Sequence, residues 1–285
     1  MLEESFNYVA VFRYMRRNKL VLASSCIIVA YVVVALLTCL GLVASDWNYG
    51  VQGDEYLSPG VKYFFGTDFL GRSVSKKILK GAQVAMTVGF VVAIIAVFLG
   101  VTLGCLAGYF GGAVDAAVVW GCNVCDSIPS IMLQVAIAFL FDRKSLAVYL
   151  GLPLTSWMSL CRLIRAEVMR HKAQEYIQAA TAIGAGHFRK LFIHILPNVQ
   201  HIAIIQFSLI FQLAIKKEVV LSYLGIGVQG VPSWGLMIGE ARTELLRGCW
   251  WQLFFATFAM FFVILALNIL SDAVRDATDP KLQRR

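Results

Sequence analysis

EYIQAATAIGAGHFRKLFIHILPN, residues 175–198, is a polar and basic interruption about two thirds of the way along a chain otherwise made of long apolar runs. Tyr176, Ala179, Ala180 and Ile183 recur at i, i+3, i+4 and i+7, a spacing that predicts one apolar stripe on a short helix. Phe188, Leu191, Phe192 and Ile195 repeat it. Gly184-Ala185-Gly186 lies between the stripes, where a residue without Cβ lets the chain turn at positive φ. Pro197-Asn198 is expected to stop the second helix. The prediction is two amphipathic helices of about two turns each, bent against one another and too short for a bilayer that needs about 20 residues. Such a unit is shaped to press one face onto a partner. A solvated hairpin lying on the membrane is the bland alternative.

Composition points to a membrane protein. The chain is 59% hydrophobic and 15% charged, against roughly 45–50% and 25% in soluble domains, and its mean hydropathy is +0.73. The net charge of +8 is not gathered on one basic face as nucleic-acid binding would require; Lys and Arg cluster between apolar runs. Those runs are 20–44, 84–110, about 116–141, 146–163, 201–224 and 251–271. They predict an all-α polytopic membrane protein with about six transmembrane helices. Asp126 and Pro129 interrupt the third. Arg13, Arg16, Arg17 and Lys19 precede the first like the start of a signal peptide, but its apolar core is far longer than the ~7–15 residues of such a peptide, so it reads as a retained anchor. Lys and Arg number four in 1–19, six in 162–200 and four in 272–285, against five in 45–83 and two each near 143 and 242–247. The bias modestly favours both termini on the inside. Lys62, Arg72, Lys76, Lys77 and Lys80 suggest an interfacial helix in the first outer segment.

The 175–198 stretch resembles the coupling loop of permease subunits of ATP-driven ABC importers, whose pattern is E-A-A, three residues, Gly, nine residues, I-x-L-P. Gln178-Ala179-Ala180 takes the triplet, Gly184 the glycine, and Leu196-Pro197 closes the pattern with His194 in the isoleucine slot. Glu175-Tyr176 and His194 through Asn198 are similar to the dipeptide, oligopeptide and nickel branch (the C-type permease). Glutamine replaces the family glutamate at 178, removing a charge, and histidine replaces isoleucine at 194. The resemblance continues in Gly66-Thr67-Asp68-Phe69-Leu70-Gly71-Arg72, in Trp157 and Arg162 to Arg165, in Glu218, Ser222 and Leu224 to Gln229, in Pro232 to Gly235, and in Ser271 to Pro280. It covers about 64–285, with a coupling loop at 170–200; residues 1–63, holding the first helix and outer loop, match only in pattern.

Other motifs weigh less. Gly66 to Ser73 matches the phosphate loop G-x-x-x-x-G-K-[ST] except for Arg72, but no strand leads into it and Asp68 would repel phosphate. Cys122-x-x-Cys125 lacks a βαβ setting, and neither the seven cysteines nor His171, His187, His194 and His201 suggest a metal site. Gly100, Gly104, Gly108, Gly111 and Gly112 form a small-residue stripe suited to helix packing. Lys216, Lys217 and Glu218 are ionisable groups within an apolar run, where each costs roughly 2.5–3.5 kcal/mol. Pointing 100° apart, they cannot all face one pore. They are expected either to line a translocation path in part or to snorkel to water and pair with neighbours.

The resemblance implies a type I ABC importer transmembrane domain that is no enzyme, with no catalytic, cofactor or metal residue of its own. It implies a second homologous permease subunit, two cytoplasmic ATPase subunits that bind ATP and Mg, and an extracytoplasmic solute-binding protein. The location implied is the inner (cytoplasmic) membrane with both termini cytoplasmic. The contact to the ATPase would involve Glu175, Gln178, Ala179, Ala180, Gly184, His194, Leu196 and Pro197. The substrate implied is a dipeptide or oligopeptide, with a nickel chelate or another small solute as alternatives. A secondary transporter or channel is the reading from a different class; it would favour inverted repeats, and none is seen.

Overall fold

The computed structural model describes residues 18–141 and 145–278. Arg13, Arg16, Arg17, Arg143, Lys144 and Asp279-Pro280 lie outside the described residues. Most of those described are helical and none lies in a strand; two isolated bridges, Gly50 with Arg72 and Thr67 with Ser73, tie down the 40–73 segment.

Helix α1 (Lys19–Cys39) starts where the Asn18 side chain accepts from the Leu20 N–H at 3.0 Å. It carries no charge beyond Lys19. Helix α2 (Val74–Phe110) has 37 residues, about 55 Å at 1.5 Å each. It begins well before the expected 84, so Lys76, Lys77 and Lys80 ride on its first turns and not on a separate interfacial helix. Helices α3 (Gly112–Asp126) and α4 (Ser130–Leu140) are bent by 88° at Ser127-Ile128-Pro129. Pro129 lacks an N–H and disfavours helical geometry in the residue before it, which breaks the expected third crossing in two. Helices α5 (Ser145–Leu154) and α6 (Met158–Lys172) together form one apolar span that runs nine residues past the expected 163.

The interrupting segment follows as α7 (Glu175–Ala182), a short α8 (His187–Arg189) and a π-helical turn, Lys190–Ile195. That turn leads straight into α9 (Leu196–Tyr223). Pro197-Asn198 therefore does not stop the second helix. A wider turn, with the Leu196 N–H bonded back to Leu191 O, precedes the proline, and the Asn198 side-chain amide donates to His194 O at 2.6 Å. The proline is tolerated because the wider turn shifts the hydrogen-bond register just before it and makes room for its ring. Helices α10 (Trp234–Leu245) and α11 (Trp251–Thr278) complete the chain.

Four spans, α1, α2, α5–α6 and α11, are long and apolar enough to cross a membrane, and the bent α3–α4 pair counts as a fifth only if its two arms cross as one broken span. The remaining expected run, 201–224, lies in α9. This helix has the length, but Gln206, Gln212, Lys216, Lys217 and Glu218 interrupt it. At the centre is α2, packed against α1, α6 and α9, while α11 lies on α1. Gly100, Gly104 and Gly108 face α6 so closely that an added Cβ would come within 3.0, 2.7 and 2.6 Å of the Trp157, Cys161 and Arg165 carbonyl oxygens. Three of the five stripe glycines thus serve helix packing; Gly111 and Gly112 instead form the open turn between α2 and α3. Asp115 pairs with Arg165, and Asp126 with Arg162 at 2.5 Å, so both carboxylates of the third run are neutralised from α6. Phe254, Phe258, Phe261 and Leu265 on α11, and Val29, Val33 and Leu36 on α1, are exposed. These are the flanks that a bilayer would cover.

Candidate coupling surface and buried charge cluster

The loop between α6 and α9 is built around one glycine. Gly184 has φ +81°; its N–H donates to Thr181 O at 3.0 Å and the Ala185 N–H to Ala180 O at 2.9 Å, the paired bonds of a Schellman cap. One further bond ties the two halves together and another ties the second half to α2. Lys190 Nζ donates to Thr181 Oγ1 at 3.1 Å, and His187 Nδ1 lies 2.9 Å from the Tyr109 hydroxyl near the end of α2. Lys172 Nζ donates to Tyr109 O at 2.6 Å. The loop is thus held against the end of the central helix.

The two stripes expected in the sequence are divided by this docking. Ile177 and Ala180 face inward on α7, and Leu191 and Ile195 face inward on the second half. Tyr176, Ala179 and Ile183 face out, and so do Phe188, Phe192 and Ile193. A short helix lying on its own protein needs only a narrow apolar seam, and the remainder of each stripe stays uncovered. Ile183 is 86% and Phe188 74% exposed. Glu175 is exposed in the first turn of α7. Gln178 is exposed too, its Nε2 donating to Ala173 O at 3.2 Å, a bond that a carboxylate could not make. His194 and Leu196 are half-buried and Pro197 is exposed. Of the residues singled out in the sequence, Ala180 is the one turned into the chain itself. Ile183 and Phe188, known there only as members of the stripes, form the most open apolar surface.

Lys216, Lys217 and Glu218 diverge as their helical spacing requires. Lys216 is exposed, Lys217 half-buried and Glu218 buried. The Ser222 hydroxyl donates to Glu218 Oε1 at 2.5 Å. None of the three forms an ion pair with another described residue.

At the opposite end of α2 is a buried cluster that the sequence did not reveal. Asp68 is wholly buried at its centre. Lys77 Nζ donates to Asp68 Oδ2 at 2.8 Å, to Glu240 Oε2 at 2.7 Å and to Gln252 Oε1 at 3.0 Å. Arg72 Nε also donates to Asp68 Oδ2 at 2.8 Å, and the Leu70 and Arg72 N–H groups donate to Asp68 Oδ1 at 2.9 Å. Two of the backbone amides that a phosphate loop would turn toward a nucleotide, those of Leu70 and Arg72, are therefore taken by the segment's own carboxylate. Burial pushes the Asp68 pKa up, but Lys77, Arg72 and the backbone N–H outweigh it and hold the carboxyl below its ordinary value. Glu244 accepts from the Phe69 N–H at 3.3 Å, while its Oε2 is buried without a partner. Burial raises its pKa to about 7 against the pull of Lys77. Partners 163 and 175 residues apart make this cluster invisible to local spacing.

Residues 100–284 match the family described as binding-protein-dependent transport system inner membrane component. Among curated proteins, the dipeptide transport system permease protein DppC of Bacillus subtilis (strain 168) is 33% identical over 276 residues, covering 96% of this chain and 85% of that protein. The oligopeptide transport system permease protein OppC of the same organism is 29% identical over 278 residues, 96% and 90% of the two chains. The glutathione transport system permease protein GsiD of Escherichia coli O6:K15:H31 (strain 536 / UPEC) is 30% identical over 273 residues, 95% and 90%. With its helical spans, the inward-held loop at 175–198 and a family match over most of its length, this chain belongs to the inner membrane components of binding-protein-dependent transport systems.

Proposed function

We propose that the chain is a permease subunit of an ATP-driven importer that carries peptides across the cytoplasmic membrane. The single observation behind the substrate class is its similarity, over nearly the whole chain, to permeases named for dipeptides and oligopeptides. The loop at 170–200 is the coupling element in this reading. Ile183 and Phe188 offer an apolar face, and Glu175, Gln178, Ala179, Gly184, His194, Leu196 and Pro197 surround it, with Ala180 acting from beneath. The partner receiving that face is one of two cytoplasmic ATPase subunits, which bind the ATP and Mg. A second homologous permease subunit and an extracytoplasmic solute-binding protein complete the assembly. Both termini and the loop lie on the cytoplasmic side, and the chain itself performs no catalysis. Among Lys216, Lys217 and Glu218, the two lysines without ion-pair partners suit a path through which charged solutes pass; replacement of either by alanine then alters uptake while assembly persists. The buried charge cluster fixes the helices around that path.

The reading is tested by uptake of a radiolabelled dipeptide in cells expressing the whole transporter, together with ATPase recovery when this chain is purified. Ile183→Asp with Phe188→Asp should abolish uptake and strip the ATPase from the complex while the chain stays in the membrane. Unchanged recovery would mean that this loop does not hold the ATPase. Uptake of glutathione but of no dipeptide would move the substrate assignment to the class named for the third relative.

A further inference from the structure

Beside the loop is a cavity of about 240 Å³ lined by Tyr109, Lys172, Gln178, Thr181, His187 and Lys190, among others. Its most unusual member is Lys190, 8% exposed, with a single hydrogen bond to the Thr181 hydroxyl at 3.1 Å. A buried ammonium ordinarily has a carboxylate beside it, because an unpaired charge out of water is costly. Lys190 has none among the described residues, and two of its three donors remain unused. Lys172 sits across the same cavity and is also without a carboxylate. Its Nζ donates to Tyr109 O at 2.6 Å and lies 5.6 Å from the centre of the Tyr109 ring. His187 adds a third nitrogen-bearing side chain, held by the Tyr109 hydroxyl. Two cations and an imidazole thus converge on a space with no anion of their own.

We propose that this cavity binds a phosphate group, with Lys190 and Lys172 as its charged contacts and Thr181 and His187 as further hydrogen-bonding groups. A phosphate offers several strong acceptor oxygens to lysine donors that lack them. Two sources share this chemistry. Phe110, half-exposed at the end of the membrane helix α2, borders the cavity, which ties the site to the end of a membrane-spanning helix; basic pockets between helices at a cytoplasmic boundary hold anionic lipids in general. Free phosphate in solution is the other source. The inference rests on the proposed function only in naming that boundary cytoplasmic.

The test uses the full chain in nanodiscs of equal phosphatidylglycerol and phosphatidylcholine, with retained lipid read by native mass spectrometry and inorganic phosphate binding read by calorimetry. The parent should retain phosphatidylglycerol in preference to phosphatidylcholine, and removing one lysine charge should lower that preference about fivefold. Lys190→Gln is the direct variant; Lys172→Gln, at an exposed position, serves if the buried replacement fails to fold. Lysine-dependent binding of inorganic phosphate that displaces the lipid would assign free phosphate as the source. Equal phosphatidylglycerol retention by parent and variants, with no inorganic phosphate bound, overturns the proposal. It is equally overturned if the variants lose the ATPase while lipid and phosphate binding stay unchanged, since a partner carboxylate would then occupy the cavity. Loss of the ATPase from Ile183→Asp with Phe188→Asp does not bear on this site, so the two readings fail separately.

Discussion

Glu244 is a single carboxyl with a measurable consequence. Its native pKa, about 7, stands above the ordinary 4.5, so between those values the folded chain holds a proton that the unfolded chain has released. Stability from this group is complete below about pH 4.5 and is lost as pH rises through 7. Asp68 works in the opposite sense, its depressed pKa costing stability only as pH falls below the ordinary 3.8. Thermal unfolding in detergent between pH 5 and 8 should therefore show a declining midpoint, and Glu244→Gln should flatten the decline and raise the midpoint at pH 8. An unchanged slope would remove Glu244 as its source. Gly184 gives a second prediction at this scale. No atom lies within 4 Å of where its Cβ would be, so a substituent meets empty space and only the positive φ resists, at about 1–3 kcal/mol. Asparagine tolerates that region and valine does not. Gly184→Asn should then retain the ATPase in pull-downs where Gly184→Val loses it; equal recovery would show that the cap geometry is irrelevant to docking.

Between helices the decisive contact is α2 on α6. A Cβ at Gly104 would stand 2.7 Å from a carbonyl and 2.9 Å from the Ile164 Cβ, and neither can yield without separating the helices. Gly104→Val should lower stability by about 1–3 kcal/mol, read as a fall in the detergent unfolding midpoint, whereas Gly121→Val, with nothing within 4 Å, should change it little. A parent-like Gly104→Val would mean that the helices can part freely. The stripe was legible in the sequence because its four-residue spacing is local, as were the apolar runs and the glycine hinge at 184. The starts and ends of helices were less so. Lys76, Lys77 and Lys80 look like an interfacial helix when read by charge alone, yet Lys77 finds its carboxylates on the 66–73 loop and on α10 and is buried with them. Pro197 looks like a terminator, but the π-helical turn before it lets one helix run on. Which face of α7 is covered could not be known from its stripe, since the segment is seated by Tyr109, which holds Lys172 and His187 on either side of α7 from 63 and 78 residues away.

For the whole molecule, the charge cluster around Asp68 joins four parts of the chain: the 66–73 loop, α2, α10 and α11. Replacing Lys77 by methionine leaves Asp68 buried beside Arg72 alone and should destabilise the protein by about 3–5 kcal/mol, seen as low membrane yield and early unfolding. Lys77→Met together with Asp68→Asn should recover part of that loss; if the double variant is no better, the pair is not coupled. The loop and the cluster stand at opposite ends of α2, and the uninterrupted passage from the π-helical turn into α9 links the loop to the far side by a second, covalent route. Helix α9 has 28 residues and so measures about 42 Å. Regarded as a rigid rod pivoting where it meets the loop, it turns a tilt of about 5° into roughly 3 Å of travel at the Glu218–Ser222 end. With that leverage, a small displacement of the loop at Ile183 would be felt at the far end of α9, and the proline at the near end need not bend at all.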